Sequence, residues 1–249
     1  MAESLFRISA YVAERGLIVG GPYQAARDLL LNAAPRTAGQ PLHRDSETAV
    51  EAAVRICKDL GGGILPIQGP PGAGKTFTGA QMICELVRQG RTVGITANGH
   101  KVIRNLIDAA IEAAEKQGLD LLCCQKPAEM EEAQPRLAFA RSNKDLFAAL
   151  GNTAMVGAGT PWVWAAPEAF EIVDVLRARR LGDEIAPRSV AQQLRYCAAA
   201  RRRVALTPPR SAGWRCRSSN QRRNASHKYH RSVVRKAGRK SSGVPRPPR

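Results

Sequence analysis

The chain has 249 residues, 44% of them hydrophobic, with 38 Lys and Arg against 21 Asp and Glu for a formal charge of +17. That is one domain of ordinary size plus something extra. No stretch approaches the ~18–20 uninterrupted apolar residues that span a bilayer, and Glu3 and Arg7 stand in the wrong order for a secretory signal.

The charge is split. Residues 1–176 hold 17 basic and 19 acidic side chains, whereas residues 177–249 hold 21 basic and 2 acidic, 18 of the cations being Arg. The latter stretch has no apolar periodicity long enough to bury a face and is expected to be a disordered, Arg-rich tail. Cysteines 57, 84, 123, 124, 197 and 216 show neither a CxxC pair nor paired zinc-ligand spacing, so a reduced, cytoplasmic protein is expected.

In chain order, residues 1–45 carry one amphipathic run, Tyr23 to Leu31, and then a Pro- and Arg-containing stretch, which together read as a connector. Ser46 precedes a run with Ala49, Val50, Ala53, Val54 and Cys57 at helical spacing, predicting a helix over 46–60 that ends at Gly61, Gly62 and Gly63. A short strand follows at Ile64–Ile67, limited by Pro66. A helix is predicted from Lys75 to Gln89, a strand over 92–96, a helix over 101–117 and a strand over 120–124. Residues 125–141 are polar and Pro-broken and read as a surface excursion. A helix near 144–150, a strand at 153–156 and a last apolar strand at 172–176 complete the pattern. Strands alternating with helices predict an α/β domain over 46–176 with a mainly parallel sheet and flanking helices.

The strongest motif is Gly69-Pro70-Pro71-Gly72-Ala73-Gly74-Lys75-Thr76, which satisfies G-x-x-x-x-G-K-[ST] between a strand and a helix. The glycines let successive N–H groups turn inward toward phosphate oxygens, and the helix start adds its positive end. Lys75 supplies a cation for the β- and γ-phosphates and the Thr76 hydroxyl a ligand for Mg²⁺. ATP or another nucleoside triphosphate with Mg²⁺ is the expected ligand.

The run through the loop to Ala80, then Val93 to Ile103, resembles the first two motifs of superfamily 1 helicases. It looks like the Upf-like branch, in particular bacterial proteins that join such a motor to a RecB-like nuclease. Met155 to Trp162 resembles a further strand-end motif, and Ile172 to Leu176 the strand before the Walker B acids. The resemblance covers residues 20–176 and implies a RecA-like ATP-binding domain. It also implies that Thr96, Asn98, His100 and Lys101 contact single-stranded nucleic acid, DNA or RNA. Asn98, His100 and Lys101 also suit the capped entrance to a helix, and Trp162 and Trp164 alternate as strand residues do, which suits packing as well as a nucleotide or base contact. Cys123-Cys124 suits a buried strand.

The pattern then fails. Two apolar residues beyond the strand, where the family has Asp-Glu, this chain has Arg179-Arg180, which can neither coordinate Mg²⁺ nor accept a proton. Asp183-Glu184 lies nearby but off any strand. A second motor domain and an arginine finger have no counterpart, so no catalytic residue is assigned. A truncated or frame-shifted helicase-like domain with impaired hydrolysis is the expectation. The alternative is a non-enzymatic, basic nucleic-acid-binding protein with a relic phosphate loop. A small-molecule kinase would need a lid and an acceptor pocket, for which the sequence offers no feature.

Overall fold

A computed structural model describes residues 2–70, 72–179 and 200–206. The N-terminal stretch is more than a connector. Helix α1 spans Ala2–Arg15 and α2 spans Gln24–Leu31. Sequence reading missed α1 because its charges interrupt the apolar signal, although Ile8 and Ser4 are buried. Arg27 on α2 is fully buried and donates to the carbonyls of Leu17, Val19 and Gly21, which folds the 16–21 turn back on the helix. Asp28 accepts from Arg36 Nε at 2.9 Å and Nη2 at 3.0 Å.

Helix α3 is Ala49–Asp59 rather than 46–60. Thr48 accepts from Glu51 N while the Glu51 carboxylate accepts from Thr48 N, and this reciprocal cap outcompetes Ser46. Strand β1, Gly63–Pro66, starts at a glycine with φ +82°, where a side chain would collide with the Asp28 carboxylate. Then come α4 (Lys75–Arg88), β2 (Val93–Ala97), α5 (His100–Lys116) and β3 (Cys123–Gln125). The expected excursion at 125–141 contains β4, Leu137–Phe139, paired with β3. Helix α6 spans Asn143–Ala149 and β5 Val156–Gly159, three residues later than expected because glycines at 157 and 159 hid the strand.

Thr160 to Trp164 corrects another expectation. The two tryptophans belong to a short helix, α7 (Pro161–Trp164), with Pro161 in its first turn, so Trp164 is buried and Trp162 is 67% exposed. Strand β6, Val173–Arg179, runs three residues past Leu176, and β7, Ala200–Leu206, is also in the sheet. Those ten residues, placed by composition in a tail, therefore lie in strands. The other residues beyond 179 lie outside the described residues.

The sheet order is β1-β7-β6-β2-β5-β3-β4, every pair parallel. The α/β architecture with flanking helices is as expected. Helices α4 and α5 pack together over Ile95, Val156 and Ala158, with Ile83, Ile103, Leu106 and Ile107 buried between. Among the described residues no helix is long and apolar enough to cross a membrane.

Candidate nucleotide and nucleic-acid site

In a parallel sheet the strand C-termini form one edge, where ligands are bound. The phosphate loop leaves β1 at that edge. Gly72 (φ +80°) and Gly74 (φ +71°) hold left-handed backbone, which a side chain would oppose. A Cβ on Gly69 would stand 3.1 Å from that of Ala73, so the loop closes tightly there. Gly74 is the N-cap of α4 and brings no capping side chain to the first-turn amides of this 14-residue helix. Lys75 Nζ donates to the carbonyls of Gly69 and Pro70, both at 2.6 Å, so its ammonium is drawn over the loop's mouth. Thr76 is the second helical residue. Pro71 lies outside the described residues.

The second group is divided by the sheet. Gly94 faces Trp164 and Leu176, and Thr96, two residues on, shares that face by strand alternation. Ile95 and Ala97 face the other way, with α5. His100 and Lys101 open α5, so Thr96 is on the opposite side of the sheet from them. Thr96 is 1% exposed and its hydroxyl has no hydrogen-bond partner among the described residues. Asn98 is exposed at the strand end. It does not cap α5, because Gly99 takes the N-cap position. Lys101 is exposed and His100 half-buried.

Two contributors, Arg104 and Gln125, were missed by sequence reading, and a third, Trp164, was expected on a strand. Trp164 Nε1 donates to Ile95 O at 3.0 Å and Gly159 O at 3.1 Å, holding the ends of β2 and β5 together. Arg104, one turn after Lys101, donates to Asp108 at 2.8 Å and to Glu131 at 3.1 Å. Gln125 ends β3 and is 2% exposed. No sequence signal marked it, because the third strand was expected to end at Cys124 and Gln125 to open a surface excursion.

On β6 the acid is Asp174, and it is structural. Its carboxylate accepts from Thr92 N and Thr92 Oγ1, both at 3.0 Å, at the opposite edge from the phosphate loop. Toward the ligand edge β6 carries Arg177, which is 2% exposed, with Nη1 donating to Ala178 O. Gly79 on α4 leaves the room for it: a Cβ there would sit 3.4 Å from Arg177 Nε. Arg179 ends the strand, and Arg180, Asp183 and Glu184 lie outside the described residues.

Cys57, Cys84, Cys123 and Cys124 are unbridged and buried, and burial pushes the Cys123 thiol up to about 12. Cys197 and Cys216 are outside the described residues. Among the described residues no group of three or more His, Cys, Asp or Glu could hold a metal.

No protein-family model matches the chain, and no curated protein matches it in sequence. A solved structure, the UvsW helicase from bacteriophage T4, is similar with a TM-score of 0.44 and 13% identity over 72% of this chain. The chain spans 58% of that structure's length.

Proposed function

We propose that this chain is a RecA-like ATP-binding domain of the superfamily 1, Upf-like kind that binds Mg²⁺-nucleotide but hydrolyses it poorly. The observation that carries the reading is the phosphate loop: left-handed Gly72 and Gly74, an uncapped helix start and Lys75 over the mouth. Residues Gly69 to Thr76 would hold the triphosphate, with Thr76 on Mg²⁺. Single-stranded DNA or RNA would cross the same edge at Asn98, His100 and Lys101, with Thr96 supporting the strand from behind. Bound Mg²⁺ would neutralise phosphate charge, but holding it and orienting water takes carboxylates where this chain has Arg179 and Arg180.

Titration with a fluorescent ATP analogue tests the binding half. Lys75→Ala removes a charged contact of about 1.5–3 kcal/mol, so affinity falls roughly ten- to a hundredfold. Equal affinity in both proteins removes the loop from the account. Phosphate release stays near background with or without single strands, and turnover on the order of 1 s⁻¹ or more overturns the impaired half. A change of reading frame in the gene would produce the shift in composition after Leu176, although residues 177–179 and 200–206 lie in strands of the sheet. Read in the other two frames, the nucleotides after codon 176 should then encode Asp-Glu after two apolar residues.

A second reading, a basic nucleic-acid-binding protein with a relic loop, is favoured by the 21 cations of residues 177–249. It requires nucleotide affinity to be absent from the start, so the same titration separates the two.

A further inference from the structure

Beside the interface proposed above, α5 and the segment after β3 enclose a groove of about 500 Å³. Gln125, His100, Lys101, Pro127 and Met130 line it, together with Arg104 and the carboxylates of Asp108, Glu129 and Glu131. Two polar atoms there are buried without a hydrogen-bond partner among the described residues: Gln125 Oε1 and His100 Nδ1. An unpaired buried amide oxygen in a native sheet is costly unless something supplies a donor.

The remaining surfaces suit a flat, polar-edged ring. Pro127 and Met130 are apolar, and Met130 is 53% exposed, free to lie on a π-face. Lys101 is an exposed cation one helical turn from Arg104, whose own charge is met by Asp108 and Glu131. A phosphate beside the groove would therefore be held by Lys101.

We infer that the groove is a base pocket that takes an unpaired adenine from a single strand, Gln125 reading its edge. A carboxamide matches adenine on two atoms at once: its oxygen accepts from the exocyclic N6 amine while its NH₂ donates to N7. Splayed-out bases read in this way are the usual source of sequence preference in single-strand recognition. The inference rests on the proposed nucleic-acid interface and adds a residue and a base to it.

The test uses the full chain and short oligonucleotides bearing one 8-azidoadenine, with photo-crosslinks located by mass spectrometry. Crosslinks should fall in residues 125–131, and Gln125→Leu should reduce them about tenfold while leaving those beyond residue 176 unchanged. Oligo(dA) should bind about tenfold tighter than oligo(dC) at salt that suppresses the basic residues, and Gln125→Leu should bring that ratio to one. Met130→Ser, on an exposed wall, gives the same loss in smaller measure and decides the matter if the leucine variant does not fold. Crosslinks at 98–104 without any at 125–131, and a ratio near one in the wild type, overturn the base pocket but leave the interface standing. Crosslinks confined to residues beyond 176 overturn both.

Discussion

The phosphate loop and the Gln125 groove sit at the same edge of one parallel sheet but are made in opposite ways. Eight consecutive residues make the loop, mostly from backbone, and two glycines and a lysine carry its geometry. The groove is assembled from α5 and the end of β3, which the sheet order places beyond β5, so its members are up to thirty-one positions apart in sequence. A locally encoded site tolerates change in the sheet as long as its own turn survives. A site assembled across strands depends on whatever keeps those strands in register.

Trp164 is the part that separates them most sharply. Its indole is 1% exposed and bridges β2 to β5, so Trp164→Ala should cost about 3–5 kcal/mol. Calorimetry should show the midpoint falling by roughly 10 °C or more. Below the transition, single-strand binding should suffer while nucleotide affinity holds, and an equal loss of both would erase the distinction.

Gly74→Val is the converse. A β-branched residue at φ +71° stores about 1–3 kcal/mol of strain, released by opening the turn. Nucleotide affinity should drop by at least tenfold, with crosslinking at the groove unaltered.

The same contrast explains what could be read from sequence. The loop was legible residue by residue because its chemistry and its spacing coincide. The α/β class was legible because strands and helices alternate. Helix α7 was not, since Trp162 and Trp164 alternate as strand residues do, and only Pro161 at the first turn betrays the helix. The separation of Thr96 from His100 across the sheet needed β2's facing, which no motif states. Gln125 needed β3 to end at the ligand edge, which depends on a pairing with β5 from thirty residues later.

Smaller effects sharpen the groove side alone. Lys101→Ala should lower the salt slope of single-strand binding by about one unit and weaken it severalfold, leaving nucleotide titrations unmoved. A slope unchanged by the substitution would take Lys101 off the phosphate path.

Cys123 shares β3 with Gln125, and burial raises its thiol from the ordinary 9.0 to about 12. A raised value in the fold means the stabilisation is complete below pH 9 and is lost as pH climbs toward 12. Urea midpoints should therefore decline over that window and do so less in Cys123→Ala. Identical profiles would show that other groups govern alkaline unfolding.

Strand β1 bears the phosphate loop, and among the described residues its one neighbour in the sheet is β7. On the ribosome, β1 emerges about 140 residues ahead of the segment that pairs with it, a delay of roughly ten seconds or more at ordinary elongation rates. The most recognisable site in the chain is therefore the last to be locked into the sheet. During that interval β1 lacks its sheet partner, and a lesion within residues 200–206 would strike the proposed nucleotide site without touching one of its residues.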